Sequence, residues 1–459
     1  MIEIGVKDIA DVSDGELSYS SAAGAAVRGF SIDSRTIKPG EFFIAIPGKN
    51  ADGHDHIAEA VARGAAGVIS ERPRDVIDGS GKSHFIRVVS SVGAMGSIAG
   101  HIRSKVDIPI IAVTGTNGKT TVKDILQRLL SEKYHTLKSP SSYNNMVGVS
   151  LTLFGLDRTH EAAVFELGTN HPGEIVSLAR LVRPGHAVIT NIGPGHLEFF
   201  GDTDGVFREK AGVLECLPEG GAAFLSGDDD SLRSLRACGR EIMFFGKTPG
   251  CEFHIQDIQK KEIGYDFRLN GELLRIPFDG EHNVYNAAAA SAVAAFMGVE
   301  YSAIRAGLFE TALPAMRMKR VSAGGMVFLN DAYNANPASF ECALKTLAGM
   351  DLAGRKWVIA GDMLELGSRS EESHRNLGAR VAAGNFDFLI TLGDAASITA
   401  REAVLAGMDA ENVFRAKDHE EAARIIREIA RPEDMILLKG SRKMRMEDIL
   451  KCFTTSCFR

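Results

Sequence analysis

The hydrophobic positions of this chain fall into short apolar runs that alternate with stretches of helical period. Ile108, Ile110, Ile111 and Val113 make a run that reads as a strand buried on both faces. It ends at Thr114-Gly-Thr-Asn-Gly-Lys-Thr-Thr121, after which Val122, Ile125, Leu126 and Leu129 recur at i, i+3, i+4, i+7, one face of a helix. Similar runs predict strands at 162–167 and 186–190. Residues from about 106 to 312 therefore read as a mainly parallel sheet around the glycine loop. Ahead of it, "GEFFIAIPG" (40–48) predicts a strand, "DHIAEAVARGA" (55–65) a helix and "AGVIS" (66–70) a strand. From about 313 the alternation restarts, with "KWVIAGD", "FDFLITLGD" and "DMILLKGS" each ending in a loop. The predicted class is α/β with three domains: a small N-terminal α/β unit (1–105), a central P-loop-type unit (106–312) and a C-terminal Rossmann-like, doubly wound unit (313–459). No G-x-G-x-x-G follows the last strands, which argues against a dinucleotide domain.

A glycine loop between a strand and a helix N-terminus suits an anion, because free backbone N–H groups and the helix dipole point there. Gly115 and Gly118 allow close approach of a phosphate, Lys119 brings positive charge, and Thr120 is placed to ligate Mg²⁺. Thr116 and Asn117 complete the loop. The match to G-x-x-x-x-G-K-[ST] is incomplete, since Val113 stands where the first glycine belongs. Phosphoryl transfer needs a divalent metal with oxygen ligands. Glu166 ends the strand "AAVFELG", at the sheet edge where ligands of open α/β folds bind. His196 follows a glycine and proline turn in "VITNIGPGHLEFFG", and His186 at the start of that strand is a weaker candidate. On a continuous helix Lys210 shares a face with Phe207, Val213 and Leu214, while Arg208 and Glu209 point elsewhere. Such a lysine either snorkels to solvent or becomes an amine of lowered pKa. "DTDG" (202–205) matches a GTPase pattern, but no N-K-x-D accompanies it. "GDDDS" (227–231) reads as a solvated acidic loop.

Composition narrows the class. The 459 residues suit about three domains, and 45% hydrophobic content supports sizeable cores. A net charge of −7 argues against general nucleic-acid binding. The N-terminal stretch has no apolar signal core, and the apolar segment 287–297 is too short to span a bilayer. Six scattered cysteines with no C-x-x-C pair fit a reduced, cytoplasmic protein.

The motifs "VTGTNGKTT", "FELGTN", "NIGPGHLE", "GEHNVYNAAAA" and "DAYNANPAS" occur in the order seen in the Mur ligases, and the chain resembles that family along nearly its whole length. "YNNMVGV" (143–149), "DAYNANP" (331–337), "VIAGDMLELG" (358–367), "LLKGSR" (437–442) and the segment 32–57 resemble those members that join D-alanyl-D-alanine to the UDP-N-acetylmuramoyl-tripeptide. The resemblance implies an ATP-dependent ligase of peptidoglycan synthesis, and so of cell-wall biogenesis, cell shape and division, working as a cytoplasmic monomer. It implies that Gly115 to Thr120 cradle ATP phosphates, with Thr120 on one Mg²⁺ and Glu166 and His196 holding a second. Lys210 would be a carbamylated lysine that also faces the metal. Asn283 and Asn286 would contact adenine, Arg317 the phosphates, Asp331 the ribose, Asn144 and Asn145 substrate or phosphate, and Asp33, Ser34 and Arg35 the uridine nucleotide. The chain departs from the family pattern at Ser150, often Pro, at Ala211-Gly212, often Gly-Glu, and at Met316 before Arg317, often Gly. The rival readings are another amide ligase of the same fold, a folylpolyglutamate synthase, an ATPase coupled to motion or partner binding, and a binding protein without catalysis. "DAYNANP" and "GDMLELG" argue against the first two.

Overall fold

In the computed structural model the strand before the glycine loop runs Ile110–Thr114 and the helix after it Lys119–Leu130. The structure describes residues 2–19, 27–48, 51–74, 83–235 and 239–454. Lys49 and Asn50 of the 32–57 segment, and two of the six cysteines, lie outside them. The four described cysteines are free.

The central sheet has nine strands, ordered 272–276, 265–269, 253–260, 241–246, 222–226, 186–189, 110–114, 162–166, 136–138. All are parallel except for the antiparallel pairings of 265–269 with its two neighbours. Successive side chains of a strand point to opposite faces. Ile111 and Val113 therefore pack with Val122, Ile125, Leu126 and Leu129 of the loop's helix and with the alanines of helix His282–Phe296. Ile110 and Ala112 pack on the other face, against helices Met146–Phe154 and Glu174–Val182. Burial on both faces is why these strands read as unbroken apolar runs. Helix Ser91–Ser104 joins this second layer through Met95, Ile98 and Ile102, so it serves the central core as well as the N-terminal unit.

The N-terminal sheet has five strands, ordered 16–19, 84–87, 67–70, 41–44, 29–31, with only the first antiparallel. The predicted helix at 55–65 is shorter, Ile57–Ala62, because a 3₁₀ turn capped by Asp52 precedes it and Gly64 takes a positive φ just after it. The C-terminal sheet has six strands, ordered 319–323, 326–331, 435–439, 356–361, 388–392, 413–416. Only 319–323 is antiparallel. Phe328, Trp357 and Ile436 face one helical layer, while Leu329, Val358 and Leu437 face the other. That is the doubly wound arrangement. Among the described residues no helix is long and apolar enough to cross a membrane.

Candidate active site

The carboxyl ends of the central and C-terminal parallel strands face each other across a cleft of about 1330 Å³. The central wall carries the glycine loop. Gly118 caps the helix with φ +84°, and Gly115 has φ +137°. A Cβ at Gly115 would lie 2.0 Å from Thr190 Oγ1, and one at Gly118 2.3 Å from Asn286 Oδ1, so only glycine fits either position. Lys119 Nζ folds back over the loop, donating to the carbonyls of Gly115 (2.9 Å) and Thr116 (3.0 Å). Burial lowers its pKa to about 8, against the opposing pull of Glu166.

Glu166 ends its strand at 1% exposure. Its Oε1 accepts from Asn144 Nδ2 at 2.8 Å, whereas Oε2 is buried with no hydrogen-bond partner. Asn145 caps helix Met146–Phe154, accepting from Gly148 N–H at 2.9 Å, which sets Asn144 beside Glu166. His196 lines the same cleft from a left-handed backbone position, φ +53°. Its Nδ1 lies 2.7 Å from Glu365 Oε2. Burial lowers its pKa, with Glu365 opposing and the charges of Lys119 and Lys210 adding.

Lys210 is 2% exposed, and its side chain makes no hydrogen bond or ion pair among the described residues. Burial, and next the charge of Lys119, hold its pKa well below the usual lysine range. The continuous helix expected around it is not continuous. The α-helix Thr203–Ala211 tightens into a 3₁₀ turn at Gly212–Cys216, so the face shared with Val213 and Leu214 breaks. Gly212 is required there, since a Cβ would meet Val176 Cγ2 at 2.7 Å. Glu209, expected to point away, is buried. It accepts from Thr169 Oγ1 (3.1 Å), Gly173 N–H (2.7 Å) and Ile175 N–H (2.8 Å), anchoring the loop after Glu166.

Asn283 and Asn286 are buried on helix His282–Phe296 and line the cleft, with Asn286 Nδ2 donating to Asn283 Oδ1 at 3.0 Å. From the opposite wall Arg317 Nη2 donates to Thr120 Oγ1 at 2.7 Å, and its guanidinium lies 4.1 Å from the centre of the Tyr333 ring. Asp331 pairs with Lys439 and accepts from Met318 N–H at 3.1 Å. Asn336 Nδ2 donates to Asn117 Oδ1 at 2.9 Å.

Asp33, Ser34 and Arg35 are not among the residues lining the cleft. Asp33 and Arg35 pair at the surface at 2.8 Å, while Ser34 donates to Glu59 at 2.7 Å. His186 is elsewhere too, accepting from Ala222 N–H at 3.2 Å beside Phe296. The acidic loop 227–231 is not simply solvated. Asp228 accepts from the N–H groups of Lys247 and Thr248, and Asp229 from Ile192 N–H, because free backbone donors of neighbouring loops end there. Sequence reasoning missed Glu209 and Glu365.

No group of three or more His, Cys, Asp or Glu among the described residues could hold a metal by itself. Thr120 nevertheless suits one Mg²⁺, and Glu166 with His196 a second, each completed by phosphate oxygens. The buried, unpartnered Glu166 Oε2 is the observation that fits, because such an oxygen is costly unless a cation or donor satisfies it.

Three family models match the chain: the Mur ligase family catalytic domain at 26–114, the Mur ligase middle domain at 113–294, and the Mur ligase glutamate ligase domain at 316–442. The chain is 31% identical over 455 residues to the UDP-N-acetylmuramoyl-tripeptide–D-alanyl-D-alanine ligase of Bacillus subtilis, covering 98% of each. A crystal structure of MurF from Acinetobacter baumannii superposes with a TM-score of 0.87 at 30% identity, over 99% of this chain and 100% of that one. MurF ligase from Thermotoga maritima in complex with ADP gives 0.80 at 28% identity, over 93% and 97%.

Proposed function

This chain belongs to the Mur ligase family, and from that premise we propose that it joins D-alanyl-D-alanine to the UDP-N-acetylmuramoyl-tripeptide, using ATP and releasing ADP and phosphate, in peptidoglycan precursor synthesis. The observation that carries the reading is the meeting of three things in one cleft. A phosphate loop lies beside the buried, unpartnered Glu166 Oε2 and the side chain of Lys210, a residue 2% exposed, under an arginine from the facing unit.

ATP phosphates would lie on Gly115 to Thr120, against the N-terminus of the helix. Among the described residues Lys119 Nζ is bonded only to loop carbonyls, so its ammonium is free to turn onto the transferring phosphoryl group, and Arg317 adds charge from the other side. Asn283 and Asn286 would meet adenine and Asp331 the ribose. Asn144 holds Glu166 in place, and Asn145 holds the helix that carries Asn144 there. The tripeptide carboxylate attacks the γ-phosphorus, giving an acyl phosphate and ADP. The amine of D-alanyl-D-alanine then attacks the acyl carbon, an amide forms, and phosphate and a proton leave. Thr120 would hold one Mg²⁺ and Glu166 with His196 a second, which would neutralise phosphate charge. Lys210 is carbamylated in this reading, because burial favours the neutral amine and only a neutral amine adds CO₂. Asp33, Ser34 and Arg35 take the uridine nucleotide from the N-terminal unit, and the units divide at 1–105, 106–312 and 313–459. The enzyme works as a cytoplasmic monomer.

The test is to incubate the protein with ATP, Mg²⁺, D-alanyl-D-alanine and UDP-linked tripeptides ending in lysine or in diaminopimelate, and to weigh the product. The reading expects tripeptide plus dipeptide minus water, with one ADP per product. ATP hydrolysis with no joined product would overturn it.

A further inference from the structure

Glu365 touches His196 across the cleft, from the C-terminal unit onto the central one. The two segments meet at three points. His196 Nδ1 lies 2.7 Å from Glu365 Oε2, Glu198 N–H donates to Glu365 O at 3.4 Å, and a Cβ on Gly367 would lie 3.4 Å from Glu198 Cα. Both partners hold backbone conformations that L side chains rarely adopt, φ +53° at His196 and φ +62° at Glu365. Strain of this kind persists only where the surroundings over-determine it, and here it falls on both sides of one hydrogen bond.

A carboxylate can only accept a hydrogen bond, so in this contact the imidazole proton sits on Nδ1. That leaves Nε2 with its lone pair, and Nε2 has no hydrogen bond among the described residues. A histidine that donates from one ring nitrogen to a carboxylate is fixed in tautomer and orientation, and its other nitrogen becomes a better donor to a cation.

We propose that Glu365 is a positioning residue: from the C-terminal unit it fixes His196 as an Nε2 electron-pair donor, so that His196 holds a divalent cation more tightly while that unit covers the cleft. The cation half of this inference rests on the metal reading given under Proposed function. It makes one site dependent on two domains, and it assigns a role to the "GDMLELG" loop that the phosphate chemistry leaves unused.

The experiment uses the full chain. Protein labelled with ¹⁵N-histidine, with His196 identified by His196→Gln, reports the ring tautomer without metal. The wild type is expected to show protonated Nδ1 alone, Glu365→Ala a mixture, and Glu365→Gln the wild-type pattern, since its side-chain carbonyl can accept the same proton. Mn²⁺ affinity in the presence of ADP is then read by electron paramagnetic resonance. Glu365→Ala should weaken it by roughly 10–100-fold, Glu365→Gln by less, and Glu365→Ala should add nothing in a His196→Ala background. An unchanged tautomer in Glu365→Ala, or an equal loss in both backgrounds, would overturn the proposal. If His196→Ala left Mn²⁺ affinity untouched, the metal assignment itself would fall. The tautomer measurement alone would then decide whether Glu365 positions His196.

Discussion

Lys210 and Lys439 stand on opposite walls of one cleft, each 2% exposed, and their surroundings differ in kind. Lys439 pairs with Asp331 and donates to Asn334 O at 3.1 Å. Lys210 has no partner among the described residues, and Glu166 Oε2 on the same wall has none either. The C-terminal wall is satisfied by the protein itself, and Arg317 is stacked and bonded in the same way. The central wall carries buried polar groups that the chain leaves unsatisfied. A buried charge without a partner costs stability and persists where a ligand answers it. The comparison locates chemistry on the central wall and alignment on the facing one.

The largest expected effect breaks the central wall. Lys210→Ala should lower ligase turnover on the order of 10³-fold while leaving ATP affinity within a few-fold. Lys210→Arg should do no better, because a guanidinium cannot carry CO₂. Steady-state turnover beside equilibrium nucleotide binding measures both, and full activity in the arginine variant would refute the carbamate. The next breaks the other wall. Lys439→Met leaves the Asp331 carboxylate unpaired and should cost roughly 3 kcal/mol of stability, read by denaturant unfolding. A neutral result would mean that the pairing on this wall is incidental.

The same measurement on Lys210→Met should move the opposite way. Removing an unpartnered buried amine should stabilise the ligand-free protein by about 1 kcal/mol at pH 7. The sign with pH follows from linkage. Lys210 has a folded pKa below its unfolded one, so the unfolded chain binds more protons and wild-type stability rises with pH. Lys119 adds to this rise between pH about 8 and the ordinary lysine range. The advantage of Lys210→Met should therefore shrink as pH approaches 10. An advantage that grew with pH would contradict the assigned direction. The smallest effect concerns Met316, which precedes Arg317 at φ +59°. Met316→Gly should relieve backbone strain worth about 1 kcal/mol and raise the thermal midpoint by a few degrees, without altering the Arg317 contact.

Where a residue's place in the fold depends on local pattern, it was legible. The change of period at Thr114 located the loop, Lys119 and Thr120, and the end of an apolar run located Glu166. The doubly wound third unit was legible because strands buried on both faces lose their alternation. Glu209 was not: it lies in the same α-helix as Lys210, and it is buried because the loop after Glu166 packs on its face, a contact that no spacing in the sequence marks. Motif resemblance assigned Asn144 to substrate or phosphate; its bond to Glu166 was not legible, since no spacing rule joins residues on a loop and a strand end. Glu365 was not legible at all: its partner lies 169 positions away, and only the packing of two units brings them together. The departure at Met316 also became readable only in three dimensions. The left-handed backbone that glycine adopts freely is kept here by a methionine.

The account's central claim is that the ATP bound on this loop drives amide formation to a dipeptide. Its most direct test is phosphate release in the presence of ATP, Mg²⁺ and UDP-N-acetylmuramoyl-tripeptide, with D-alanine, L-lysine, diaminopimelate and D-alanyl-D-alanine offered separately. The account predicts sustained release with D-alanyl-D-alanine and little with the others. Equal or faster release with any single amino acid would contradict it.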